Sequence, residues 1–406
     1  MKIGIISDLH LGFRQYGSIE RETDFYNQFY LVCLEMSKHD LDAVIIAGDL
    51  FNTPNPSPAA IHTYREGIKS LDVSMIFAIK GNHTMVMRDN HYSIDEFFGK
   101  NEFQNYYLLD DCQYKDNNIA IDGITYRNNS SKEEFLAIQK MLAEKKTLSP
   151  YRILVVHQSF NEFCGFMGED LSITDIDYEP YDLIVCGHIH SRTDVQINKD
   201  TLFIQPGSIE RMNTTEAKDE EKNGKGFYVV DTETKSYDFH RVECPRKFFL
   251  GDIDIDKDFS ITDFYRKLVK KASKLKVAPI ISYKFHNHTD DIAGIRDIIL
   301  DKKENILIDN SSIYDEVERD DILVEITDTE LPTVAKALKI GLEKSLNDKD
   351  AEFALDLYNL LKDDADGIDI FLDEYYKERV PEEEEIEISY DEIDELERFF
   401  KNLGGV

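Results

Sequence analysis

Short apolar runs closed by glycine, aspartate or asparagine recur along the first 240 residues: KIGIIS (2–7), DAVIIAG (42–48), SMIFAIK (74–80), NIAID (118–122), RILVVH (152–157), DLIVCG (182–187), TLFIQ (201–205) and GFYVVD (226–231). Nearly unbroken Ile/Val-rich runs of this length predict strands buried on both faces. Residues 24–38 and 58–71 repeat their apolar positions with helical period and predict helices between the early strands. Strand, helix and strand in alternation indicate an α/β layered core.

The pattern changes at ECPRK (243–247), which reads as a junction. Residues 244–345 form a smaller α/β unit, with strand-like FFLGDIDI, a basic helix, strand-like APIISYKF and ILVEI, and a helix opened by Pro332. From 346 to 406 the chain is acidic and its pattern predicts helices, with Ser389 and Glu392 spaced as a capping box before the apolar positions Ile393, Leu396, Phe400 and Leu403. The expected organisation is therefore 1–243, 244–345 and 346–406.

Composition narrows the reading. Five scattered cysteines (33, 112, 164, 186 and 244) without a C-x-x-C pair argue against a disulfide framework or a zinc knuckle, and fit a reducing cytoplasmic setting. No stretch of the sequence has the length of an apolar membrane span. The net charge of −33 is opposite to that of proteins holding DNA by general electrostatics, so any nucleic-acid face must be local or aided by metal ions. One local exception is FYRKLVKKASKLK (264–276), with six basic residues and no acid. Arg266, Lys267, Lys270, Lys271 and Lys274 there are candidate phosphate contacts, and an ordinary solvated helix face explains them equally well.

The chemistry gathers where the early strands end. KIGIIS runs into Asp8-Leu-His10, DAVIIAG into Asp49, SMIFAIKG into Asn82-His83, RILVV into His157, and DLIVCG into His188-Ile-His190. Residues i and i+2 of an extended chain share a face, so Asp8 and His10 are expected to leave their strand on the same side. Open α/β sheets collect ligands at the carboxyl ends of strands. Asp8, His10, Asp49, Asn82, His157, His188 and His190 then supply seven donors, and a bridging Asp49 gives each of two metals four. Imidazole, carboxylate and carboxamide together suit Mn²⁺, with Fe and Zn as alternatives. Two such ions can activate water and clamp a phosphoryl group. Five unrelated strand caps are the bland alternative, and five in this order are rare.

The motifs DLH, GDLFN, GNHT, VVHQSF and GHIH, in order across residues 8–190, resemble the signature of the calcineurin-like metallophosphoesterases. GDLF, QPGSIER (205–211), KGFYVVD and PRKFF narrow the resemblance to SbcD-type nucleases of the SbcCD DNA double-strand-break repair complex. The resemblance implies a layered β-sandwich core flanked by helices, with the 244–345 unit as a capping, DNA-recognition domain. It also implies a Mn²⁺-dependent DNA exonuclease with endonuclease action at ends or hairpins. The implied partners are an SbcC-type coiled-coil ATPase, docked through the 346–406 tail, and a second copy of the chain within a heterotetramer. A metallophosphatase for a small phosphomonoester or cyclic nucleotide shares the core motifs, as does a DNA-end scaffold with weak catalysis. The long extension beyond the core favours the nuclease.

His83 adjoins the ligand Asn82, and neighbouring side chains of an extended segment point apart. It is therefore expected to face substrate as the catalytic residue that assists the leaving oxygen. Two positions depart from the family pattern. Thr84 stands where the family has an aspartate that orients the preceding histidine, and its hydroxyl is expected to fix the His83 ring instead. Asn52, a candidate substrate contact, stands where several members have histidine.

Overall fold

The computed structural model describes residues 1–85, 93–164, 171–255, 260–287 and 306–315. The expected ILVEI strand, the Pro332 helix and the tail 346–406 lie outside them.

The first sheet contains β1 (Lys2–Ile6), β2 (Ala43–Ile46), β3 (Met75–Ala78) and β4 (Tyr106–Leu108). The second is built from β5 (Cys112–Lys115), β6 (Ile119–Ile124), β7 (Tyr151–His157), β8 (Leu183–Gly187), β9 (Thr193–Gln196) and β10 (Leu202–Gln205). The chain then returns to the first sheet with β11 (Gly226–Asp231) and β12 (Ser236–Arg241). Strand orders are β12-β11-β1-β2-β3-β4 and β5-β6-β7-β8-β10-β9. β1 to β4 run parallel, as do β6, β7, β8 and β10.

The two sheets pack face to face. Ile3, Ile5, Ile45 and Phe77 of the first share one core with Ile121, Ile153, Val155, Val185 and Ile204 of the second. Alternate residues point the other way. Ile6, Val44 and Ile46 meet Phe29, Val32 and Met36 of helix α1 (Ile19–Met36) and Tyr64 and Ile68 of α2 (Pro58–Ser70). Behind the second sheet, Leu154, Val156, Ile184 and Cys186 pack with residues such as Phe135 and Leu142. Strands with period-two side chains and a layer on each face have no solvent side, which is why their sequences are apolar throughout.

The eight strands expected from apolar runs in the core are β1, β2, β3, β6, β7, β8, β10 and β11. The four that reading passed over, β4, β5, β9 and β12, are the edges of the two sheets. An edge strand needs little apolar surface, because its neighbour's backbone supplies the ladder; SYDFHR of β12 and TDVQ of β9 carry no buried residue. Helix α1 starts at Ile19, earlier than its periodicity suggested, because the Ser18 side chain caps it by accepting from Arg21 N. The aromatic stretch 97–107 serves the core: Phe98 and Tyr106 are buried.

A third sheet follows. β13 (Phe248–Ile255) and β14 (Ile280–Asn287) are parallel and joined through the basic helix, Ile261–Ala272. β15 (Ile308–Asp309) and β16 (Ser312–Asp315) both pair with β14. Arg246, at the junction, ties this unit to α1: its Nη2 donates to Asp24 Oδ1 at 3.0 Å, and its Nη1 donates to the Ala278 carbonyl. Asp24 also pairs with the fully buried Arg21, which reaches the Arg211 carbonyl at 2.8 Å. Among the described residues no helix is long and apolar enough to cross a membrane.

Candidate metal centre

The parallel strands β1, β2, β3 of one sheet and β7, β8 of the other carry Asp8, His10, Asp49, Asn82, His157, His188 and His190 at or just beyond their carboxyl ends. The local backbone differs from the expected extended one. β1 stops at Ile6, and Asp8, His10, Asp49 and His188 all have left-handed φ, at 52°, 43°, 49° and 89°. Asp8 and His10 therefore meet through a tight turn rather than through shared strand pleating. Such residues cost of order 1–3 kcal/mol each and persist only where their surroundings over-determine them. Here the loops cross-brace one another: Asp8 N donates to Gly48 O at 3.2 Å, His10 N to Asp49 O at 3.0 Å, and Leu11 N to Leu50 O at 3.1 Å. Close approach also demands Gly81, where a Cβ would lie 2.1 Å from Asp49 Oδ1.

The side chains form overlapping groups of potential ligands: Asp8, His10 and His190; His10, Asp49 and His83; Asp49, His157 and His188. His10 Nε2 is 3.1 Å from His190 Nε2, 3.7 Å from Asp49 Oδ2 and 4.0 Å from Asp8 Oδ1. His157 Nε2 is 3.1 Å from both Asp49 Oδ2 and Asn82 Oδ1, and His188 Nδ1 lies 3.0 Å from the same Asn82 oxygen. Each contact sets two lone-pair-bearing atoms against each other, so the metal-free protein must keep protons among them. Divalent cations would take the place of those protons, and this donor set fits them. Asp49 touches both halves of the cluster, the arrangement a bridging carboxylate needs.

Backbone carbonyls orient two rings. His157 Nδ1 lies 2.7 Å from Ala47 O and His83 Nδ1 3.0 Å from Asn52 O, so each Nδ1–H donates and leaves Nε2 for the site. Burial drives His10 and His188 down to about 4, which keeps both neutral. For His157 burial acts the same way, yet the charge and hydrogen bond of Asp49 outweigh it and lift the ring to about 9. Asp49 is itself held well below the usual carboxylate range: burial works against its charge, but His157, His10 and His83 overcome it.

His83 stands edge-on to His10 with ring centroids 4.6 Å apart, and its backbone N donates to Asp49 Oδ1 at 3.0 Å. The expectation that Thr84 fixes this ring is corrected: Thr84 is fully buried with its hydroxyl beside the buried Asp95 carboxyl, and the Asn52 carbonyl does the fixing. The Asn52 amide oxygen is itself buried without a partner. Arg266, Lys267, Lys270, Lys271 and Lys274 are exposed on the basic helix or just past it, and Lys271 Nζ sits 4.3 Å above the Phe249 ring. They belong to the third-sheet unit and to none of the ligand groups.

Two residues beside the cluster were missed. Tyr126 lies with its ring 5.4 Å from that of His188, and Glu216 accepts from His190 Nδ1 at 2.9 Å. Neither stands in one of the motifs singled out in the sequence, and nothing there but its place shortly after QPGSIER points to Glu216.

The family model of the calcineurin-like phosphoesterases matches residues 1–192. The chain is also similar to proteins described as DNA double-strand break repair protein Mre11. That of Methanococcus maripaludis is 28% identical over 404 residues, covering 92% of this chain and 98% of the relative. That of Methanocaldococcus jannaschii is 28% identical over 385 residues, covering 91% and 97%. That of Sulfolobus acidocaldarius is 28% identical over 365 residues, covering 87% and 90%. Residues 1–192 are thus similar to the calcineurin-like phosphoesterases, and over most of its length the chain is similar to archaeal Mre11 proteins.

Proposed function

We propose that this protein is a Mn²⁺-dependent DNA exonuclease, with endonuclease action at ends or hairpins, and the nuclease subunit of an SbcCD-type DNA end-processing complex. One observation carries the reading: donors from five loops converge on overlapping ligand groups, in a chain that matches nearly the full length of relatives named for double-strand break repair. Asp8, His10, Asp49, Asn82, His157, His188 and His190 would hold two divalent ions. When bound, such ions lower the pKa of water and draw off the charge that develops on phosphoryl oxygens. His83 keeps its Nδ1–H on the Asn52 carbonyl and turns Nε2 to the substrate; in its imidazolium form, with a second proton on Nε2, it steadies the leaving 3′ or 5′ oxygen and gives that proton to it, ending as the neutral ring.

The exposed Arg266, Lys267, Lys270, Lys271 and Lys274 would contact DNA phosphates, giving an acidic chain a local basic face. The same reading assigns 1–243 to the nuclease domain, 244–345 to DNA recognition, and 346–406 to docking on an SbcC-type ATPase in a complex with two nuclease copies. Deleting 346–406 should leave cleavage intact and abolish co-purification with the ATPase.

The deciding assay offers linear duplex DNA, hairpin DNA and p-nitrophenyl phosphate, each with Mn²⁺, Mg²⁺ or EDTA. Mn²⁺-supported cleavage of the DNA substrates, abolished by EDTA, is expected. Hydrolysis of p-nitrophenyl phosphate alone would make the protein a small-molecule phosphatase. DNA binding without cleavage would make it a scaffold.

A further inference from the structure

Among the described histidines of the cluster, His190 is the one whose outward nitrogen meets a carboxylate. His157 and His83 give theirs to the carbonyls of Ala47 and Asn52. Glu216 belongs to the first turn of helix Thr214–Asn223, and its N–H donates to Asn213 Oδ1 at 2.9 Å. Its Oε1 accepts from His190 Nδ1 at 2.9 Å and from Asn213 Nδ2 at 3.0 Å. Its Oε2 accepts from Met212 N at 3.2 Å and Lys225 Nζ at 3.1 Å, with Ser208 Oγ 3.0 Å away. Glu216 and Lys225 are 5% and 3% exposed, so this is a buried pair with every donor engaged.

The same group of residues holds the His190 backbone. Its carbonyl accepts from Lys225 Nζ at 3.0 Å and from Ser208 N at 3.1 Å. Gly207 permits that approach: its φ is +76°, and a Cβ would stand 2.5 Å from the His190 oxygen. QPGSIER, Glu216 and the lysine before GFYVVD thus grip one residue at both its ring and its main chain. With the Nδ1 proton pinned by Glu216, the Nε2 lone pair is committed to the side where His10 Nε2 lies 3.1 Å away and Asp8 Oδ1 3.9 Å away.

We infer that Glu216 is the positioning residue for His190, fixing its tautomer and strengthening it as a donor, so that the two cation positions are unequal. The position formed by Asp8, His10 and His190 has a carboxylate-backed imidazole; the one formed by Asp49, His157 and His188 rests on a backbone carbonyl. The inference depends on the two-ion reading above. Removing a carboxylate behind a ligand histidine typically weakens metal binding about 10- to 100-fold.

The test uses the full chain, stripped with EDTA and titrated with Mn²⁺ by calorimetry, as wild type, Glu216→Gln and Glu216→Asp. Wild type should take two equivalents. Each variant should weaken one equivalent about 10- to 100-fold and leave the other unchanged. Wild type taking fewer than two would overturn the two-ion reading and this inference with it. Two equivalents in wild type and identical titrations in the variants would overturn the inference alone. Independently of folding in the variants, ¹⁵N-histidine spectra of the Zn²⁺-loaded wild type should show the His190 proton on Nδ1 and a coordinated Nε2, the resonance assigned with His190→Asn. A proton-free Nδ1 would refute the role.

Discussion

Replacing Asp49 by asparagine removes one charge and almost no volume from the centre of the cluster. The side chain is 1% exposed, and asparagine can still accept the His83 N–H that now reaches Oδ1 at 3.0 Å. The fold should therefore survive. The lost attraction can be sized from His157, which Asp49, with smaller help from Asp8 and the Ala47 carbonyl, holds at about 9 instead of 6.5 despite burial acting the other way. A difference of 9 − 6.5 = 2.5 corresponds to about 3 kcal/mol of attraction toward a single positive charge. A divalent cation carries twice that charge, so a loss of about 3 kcal/mol per ion is the expected scale, equivalent to about 100-fold in affinity. Because Asp49 Oδ2 lies 3.1 Å from His157 Nε2 in one half of the cluster and 3.7 Å from His10 Nε2 in the other, both equivalents should weaken, whereas loss of a ligand to one ion would spare the other. Mn²⁺ titration of EDTA-stripped wild type and Asp49→Asn measures this directly, with DNA cleavage at saturating Mn²⁺ as the second readout. Two tight equivalents in the variant would refute the bridging role.

Three further outcomes are expected. His83→Ala should load both ions and bind DNA while cleaving about 10²–10⁴-fold more slowly in single-turnover kinetics; loss of an equivalent would make His83 a ligand instead. Metal loading should release a proton from His157, which is protonated below about pH 9 in the metal-free protein and must be neutral to bind. Calorimetry in buffers of different ionisation enthalpy should see this release near pH 7.5 and see it fade as pH rises through about 9, and a release independent of pH would contradict the assignment. Gly207→Ala forces a Cβ toward the His190 carbonyl at a left-handed φ, so thermal unfolding of the metal-free protein should show a loss of at least about 1–3 kcal/mol.

The sequence by itself determined the inner strands and which candidate donor side chains stand at their ends. Runs such as AVII and LIVCG are buried at every position, and a strand covered on both faces must be written in apolar residues whatever its neighbours are. The donors follow those runs directly, so their residue types and order were legible without coordinates. What only the tertiary structure decided depends on partners far along the chain. The edge strands β9 and β12 exist because their neighbours' backbones accept them, and their own residues carry no such signal. The left-handed turns at Asp8, His10 and Asp49 stand because the loop after one strand braces the loop after the next. Which nitrogen each histidine offers is set by Ala47 for His157, by Asn52 for His83 and by Glu216 for His190. Those acceptors lie 110, 31 and 26 residues from their histidines. A hydrogen bond across such separations is fixed by packing, and no local pattern of residues encodes it.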